Sequence, residues 1–442
     1  MNIYKFLLAS ALLLSVSFAK SQEQMLPPAE PVKNELETMK EDIDNNASEI
    51  KKLKKLKVSG YFQAQYEFAE QFGSTKVGGT TTYQADRDPK SGNFSRFGVR
   101  RGRVKIAWEE SFGTAVFQLD ITERGVAFKD AYLKINEPWL KIFSFTAGIF
   151  DRPFGDEISY SSSRRESPER SLIFQRLFPD ERDLGMMLTI AAPKGSKVEG
   201  LKLDAGMFSG NGIRLDDNSK MDFIGHLKYD KRWSNIAFGV GASIYLGTTN
   251  NAAPDSCYYV VKDNAWVRKD GNKFNKLNPR QYYGIDAQFS LFTSWGTTNI
   301  RGEYLFGKQP SKSGDFGSPR ADTYVGSAPF NYMRNFFGGH IYLIQDIYRT
   351  PLTLVFKYGY LNPNTKINGN DITNRIDLAN NNYGFGLLLK ATSYIRLQLF
   401  YEVIVNEKTD RITPVMQANG KELDYNKNVK DNIFTVRLQF RL

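Results

Sequence analysis

The stretch Val58-Ser-Gly-Tyr-Phe-Gln-Ala-Gln-Tyr-Glu-Phe68 alternates with a period of two. Val58, Gly60, Phe62, Ala64, Tyr66 and Phe68 fall on one side, and Ser59, Tyr61, Gln63, Gln65 and Glu67 on the other. Successive side chains of a strand point to opposite faces, so the pattern predicts a strand with one apolar and one polar face. The chain ends in the same way: Phe434, Val436, Leu438, Phe440 and Leu442 alternate with Thr435, Arg437, Gln439 and Arg441. Fourteen more such segments lie between them, near 95–109, 112–124, 126–137, 139–151, 182–193, 198–209, 220–232, 234–247, 280–293, 295–308, 333–346, 351–362, 380–391 and 393–407. Each runs for about 10–14 residues, enough to cross a bilayer at a tilt.

The connections sort into two kinds that alternate along the chain. Short turns include Asn136-Glu-Pro-Trp139 and Tyr348-Arg-Thr-Pro351, while long loops span 69–94, 152–181, 248–279, 308–332, 363–379 and 408–429. Trp108, Trp139, Trp233, Trp295, Tyr348 and Tyr394 stand beside the short turns, where an interfacial aromatic girdle belongs. A soluble sandwich has no reason to place them there. The expected fold is all-β: a 16-stranded antiparallel transmembrane β-barrel over 58–442, in the bacterial outer membrane, with N- and C-termini periplasmic. An even strand number closes the sheet and leaves no edge to satisfy.

Composition agrees by exclusion. After the N-terminus the 442-residue chain has no apolar run of the ~18 residues that a membrane helix needs. One Cys argues against a disulfide framework, and Cys257 reads as an unpaired loop thiol. Two distant histidines, His226 and His340, come with no nucleophile motif, so the chain does not read as an enzyme, and no cofactor or metal is implied. Residues 1–21 read as a signal peptide: Lys5, an apolar run from Phe6 to Phe18, then small residues around Ala19. Export also makes nucleic acid an irrelevant partner for a chain whose net charge is +11.

Residues 22–57 read as a periplasmic Pro-rich spacer followed by a coiled-coil oligomerisation segment. Val32, Leu36, Met39, Ile43, Ile50 and Leu53 follow a heptad seam, and Asn46 fills its polar slot. So short a helix is marginal alone, which implies association. An exposed helix without a partner is the plainer alternative. The fold class is thus a 16-stranded barrel with a short N-terminal coiled-coil helix.

If aliphatic positions mark the lipid face, the opposite parity names the lumen. Arg101, Arg103 and Lys105 then face inward, as a rail with about 7 Å per step. Guanidinium forks hold phosphate, sulfate or carboxylate, and rings of Arg and Lys admit anions. Inward basic residues outnumber inward acids only modestly, and several pairs will cancel across strands. Loop 152–181 supplies Arg152, Arg164, Arg165, Arg170 and Arg176, but at least as many carboxylates. Whether it enters the lumen is not legible from its residues.

The region 94–187 resembles the phosphate-selective porin O and P family. Phe97-Gly-Val-Arg-Arg-Gly-Arg-Val104 is similar to that family's Phe-x-x-Arg-Arg-x-Arg segment, and Phe128-Lys-Asp-Ala-Tyr132 to its Asp-Ala-Tyr strand. Gly148-Ile-Phe-Asp-Arg-Pro-Phe-Gly155, Glu169-Arg-Ser171 and Arg182-Asp-Leu-Gly185 complete the resemblance. It implies a trimeric porin whose third loop folds in as a constriction, with an arginine ladder guiding anions. Carried over by motif, Arg100, Arg101 and Arg103 line that path, Asp130 orients a lysine or arginine there, and Arg152 keeps the charge of a family lysine. Arg100 can join Arg101 on the inner face only if the strand bends or bulges between them.

The functional expectation is a homotrimeric, anion-biased diffusion channel for small anions such as phosphate, bounded by outer-membrane lipid and lipopolysaccharide. A general non-specific porin, or a structural outer-membrane anchor or interaction protein, is the competing reading.

Overall fold

The computed structural model describes residues 32–442, apart from 75, 78–87, 89, 180, 214–215, 217, 252, 254, 272–276, 319–328 and 418–419. The signal-peptide and Pro-rich-spacer expectations, over residues 1–31, lie outside the described residues.

Among the described residues sixteen strands form one closed antiparallel barrel. In chain order these are β1 Leu56–Ala69, β2 Phe94–Glu110, β3 Gly113–Thr122, β4 Gly125–Asn136, β5 Phe143–Asp151, β6 Arg182–Ala191, β7 Leu201–Phe208 and β8 Asp222–Arg232. They continue as β9 Ile236–Asn250, β10 Leu277–Thr293, β11 Gly296–Ser311, β12 Tyr332–Asp346, β13 Leu352–Asn362, β14 Asn380–Lys390, β15 Ile395–Asn406 and β16 Ile433–Arg441. Each strand pairs with its neighbours in sequence, and β1 also pairs with β16, from Tyr61 opposite Arg441 to Ala69 opposite Ile433. That last ladder satisfies the two edges that an open sheet would expose.

The parity of β1 is as the alternation requires. Gln63, Gln65 and Glu67 are buried inside, whereas Phe62 on the outer face is 45% exposed. Trp139, Trp233, Trp295 and Tyr394 project outward beside the short turns. Both ends of the barrel strands' chain, Leu56 and Leu442, lie at this short-turn end, where the Leu442 amide donates to the Gly60 carbonyl at 3.0 Å.

Two strands carry bulges, and both coincide with a charged doublet in the sequence. Between β1 and β2 the register steps from Gln63 opposite Arg101 to Ala64 opposite Val99, leaving Arg100 as the extra residue. Between β3 and β4 it steps from Gln118 opposite Asp130 to Leu119 opposite Phe128, leaving Lys129. A bulge re-aims one side chain and lets two adjacent residues serve the same face.

One long loop holds structure that alternation did not predict. Residues 258–269 fold into a hairpin, Tyr258–Lys262 against Ala265–Lys269, which joins the barrel sheet where Tyr259 meets Tyr332. The helix α1, Val32–Leu53, belongs to a unit separate from the barrel, which begins at Lys55. Its Met39, Ile43, Ile50 and Leu53 side chains are all exposed.

Candidate constriction site

The loop 152–181 leaves β5 and is bound from its first residues to the barrel's inner wall. Arg152 is buried and paired with Asp183 at 2.9 Å. Arg182 holds Asp130 at 2.9 Å and Asp151 at 3.1 Å, tying β4, β5 and β6 together at the loop's base. Asp130 therefore orients an arginine, and that arginine is Arg182. At Gly155 the backbone takes φ +63° and runs against the Glu303 carboxylate, leaving no room for a Cβ. Glu303 in turn accepts the amide protons of Asp156 and Glu157. A short helix α2, Leu172–Leu177, closes the loop's return.

The loop has an apolar and a polar flank. Phe154, Ile158, Phe174 and Phe178 pack with Tyr245, Tyr282, Leu305 and Phe336 of the wall, forming the main buried core inside the lumen. These inward-facing apolar wall residues break the simple rule that aliphatics face lipid. On the other flank the loop's carbonyls take hydrogen bonds from lumenal side chains of distant strands. Gln63 donates to Ser162 at 3.1 Å, Gln439 to Ser163 at 2.9 Å and Arg437 to Pro168 at 2.8 Å. Arg170 steadies the loop itself, donating to the Glu157 and Ile158 carbonyls at 2.8 Å and pairing with Glu181. Buried backbone groups need such partners, so this loop folds into the lumen.

The centre of the polar flank is Glu169. Arg100 grips its carboxylate with two bonds, Nε at 2.7 Å and Nη2 at 2.8 Å. Arg101 and Arg437 each reach it at 3.1 Å. The bulge at Arg100 is what brings both members of the doublet to one carboxylate. Burial alone would raise the Glu169 carboxyl, but the Arg100 and Arg101 guanidiniums beside it hold it well below the usual range. Arg165 lies within the same charge cluster and is 1% exposed, yet its Nε and Nη1 have no hydrogen-bond partner. Burial, then the like charge of Arg101, lowers Arg165 from its ordinary value. Three guanidiniums thus share the Glu169 carboxylate with Arg165 close by, and buried charge of this kind is stable only when paired.

The OmpF–daunomycin complex of Salmonella typhi is similar, with a TM-score of 0.52 and 11% identity, covering 88% of this chain and 97% of that one. OprB of Pseudomonas putida matches with a TM-score of 0.51 and 9% identity over 90% of this chain and 96% of that one. The anion-selective porin of Comamonas acidovorans matches at 0.50 and 9%, over 88% and 99%. No protein-family model and no curated protein matches the sequence. At these identities the likeness speaks for architecture alone. The fold is that of the porins.

Of the residues that sequence reading singled out, the porin fold brings Arg100, Arg101 and Arg165 into one cluster. Arg103 lies apart from it, 3.4 Å from Asp120 and over the Tyr61 ring. Lys105 lines a cavity of about 420 Å³ beside the loop with Asp130, Lys134 and Arg152. Arg164 is exposed to a second cavity, of about 650 Å³, which Arg396 and Arg441 also line. Among the described residues Lys105, Lys134, Arg164 and Arg441 make no ion pair, whereas Lys390 in the second cavity is held by Asp346 at 2.8 Å. Arg176 is remote from all of these, half-exposed and 3.5 Å from Asp315 of another loop.

Sequence reasoning missed what Glu169 does. It counted that residue as one of the acids diluting the loop's charge, although Glu169 stands in one of the motifs. The signal for its partners was present: adjacent arginines in a strand can share a face only across a bulge.

Proposed function

We propose that this chain is an outer-membrane porin forming an anion-biased diffusion channel for small anions such as phosphate. The observation that carries the reading is the cluster in which Arg100, Arg101 and Arg437 hold the Glu169 carboxylate beside the buried Arg165, two of whose donors are unpartnered. An oxyanion accepts charge-assisted bonds from such donors and relieves the excess of positive charge. Lys105 and Lys134 on one side of the loop, and Arg164 and Arg441 on the other, extend the cationic lining toward the short-turn end. Similarity to the phosphate-selective porin O and P family is consistent with this choice of solute.

The same reading takes residues 1–21 as an export signal, the short-turn end as periplasmic and the assembly as a homotrimer. The exposed seam of α1 supports 22–57 as a spacer and coiled-coil segment that adds to trimer contacts. Lipopolysaccharide and outer-membrane lipid surround the barrel.

Planar-bilayer current under a salt gradient tests the bias. The expected reversal potential is that of an anion-preferring pore, and Arg165→Gln should cut the anion-to-cation permeability ratio severalfold while leaving conductance within about twofold. A cation-selective potential would overturn the proposal. A second reading, a porin without charge preference, is favoured by the ion pairs that occupy Arg103, Arg152 and Lys390. It predicts a potential near zero and no effect of Arg165→Gln.

A further inference from the structure

The outer wall is not uniformly covered by large side chains. On the outward face of β9, β10 and β11, Ala242, Ala287 and Gly302 form the floor of a depression of about 790 Å³. Ala287 stands directly opposite Gly302, and Ala242 stands opposite Ile285, two residues along the same strand from Ala287. Phe238, Tyr304 and Ile341 rise around this floor as walls, and the lining is almost wholly apolar. The volume lies within the range of about 300–1,000 Å³ in which proteins hold small ligands.

An outward-facing cation adjoins the depression's wall at Phe238. Lys231 faces outward directly opposite Phe238, at the short-turn end of β8, with the exposed Trp233 two residues on. No carboxylate among the described residues pairs with its ammonium. An apolar trough leading to an unpaired cation at the depth of the aromatic girdle matches an amphiphile with a hydrocarbon tail and an anionic head.

We propose that this trough binds one acyl chain of an anionic phospholipid from the leaflet at the short-turn end, with the phosphate against Lys231. The site rests on the wall facing lipid and is independent of the channel's ion preference. The small residues at 242, 287 and 302 keep the trough open, and Lys231 selects the headgroup.

Native mass spectrometry tests this on the full chain, released from nanodiscs of dioleoylphosphatidylglycerol or dioleoylphosphatidylcholine. The wild type should retain phosphatidylglycerol over phosphatidylcholine. Ala242→Phe with Ala287→Phe should reduce retention at least fivefold, and Lys231→Ala should remove the preference between headgroups. Ala287→Leu, a milder filling, should give an intermediate loss, and heat-modifiable migration on gels verifies that each variant is folded. Equal retention by wild type and both filled variants would overturn the site. Loss of the oligomer in the filled variants with lipid retention unchanged would also overturn it, by making this face a contact between copies.

Discussion

At the scale of single residues, Glu169 decides how many of the inward arginines are satisfied within the protein. Its carboxylate is the shared counter-ion of three guanidiniums from β2 and β16, strands that lie on either side of β1. Because its folded value is depressed, its contribution is present above the ordinary carboxyl value and is lost only as pH falls through the folded one. The latch should therefore persist from pH 8 to pH 5, and single-channel conductance should not step across that range through this group. Glu169→Gln removes the charge while keeping the shape. Removing one partner of a buried ion pair costs about 3–5 kcal/mol, so the variant should melt at lower temperature by heat-modifiability on gels. It should also raise the anion-to-cation permeability ratio, because the guanidiniums lose their internal competitor. An unchanged ratio would mean that the cluster lies off the conduction path.

At the scale of elements, the loop 152–181 is positioned by its apolar flank and adjusted by its polar one. Phe178, in contact with the Phe154 and Phe174 rings, meets the wall's Tyr245 and Tyr282, and the apolar cluster these rings share with Phe336 fixes where the loop lies. Gly155 sets the bend by which it leaves the wall, in a left-handed conformation that side chains with a Cβ adopt only at a cost. Gly155→Val should displace the first turn of the loop away from Glu303. The measurement is single-channel conductance, expected to change at least twofold with broader open-state noise, while the barrel keeps its β signature by circular dichroism. The elements also explain why the loop's fate was illegible. Its composition carries arginines and carboxylates in balance, and nothing in a linear count says which meet across the lumen. Inward Ile224, Leu305 and Leu361 do register in the sequence as breaks in the polar parity, but only a three-dimensional wall turns those breaks into a docking surface.

At the scale of the whole molecule, the barrel and α1 pose separate questions. The barrel is closed by β1 against β16 and needs no further partner for its backbone. The helix exposes Met39, Ile43, Ile50 and Leu53, a stripe that is stable in water only when covered. Deleting residues 32–57 should lower the fraction of the proposed trimer surviving in mild detergent while leaving reversal potential unchanged. An undiminished trimer on native gels would assign oligomer contacts to the barrel wall alone.

The alternation of period two, the placement of aromatics beside short turns and the even strand number were all local properties, so the sequence by itself determined the barrel and its inner and outer faces. Strand boundaries differ by at most four residues, from 182–193 against the observed Arg182–Ala191 to 139–151 against Phe143–Asp151, because side-chain period and turn chemistry are set by neighbours in the chain. The charge of the pathway was not local. Whether Arg101 is free or bound depends on a loop residue 68 positions away, and whether Arg100 joins it depends on a register step against β1. Only the tertiary structure could decide that Arg101 and Arg103 of the anticipated rail are occupied within the protein, while, among the described residues, Lys105, Lys134, Arg164 and Arg441 line its cavities without an ion pair. Electrostatic pairing acts through space, over distances that a sequence does not encode.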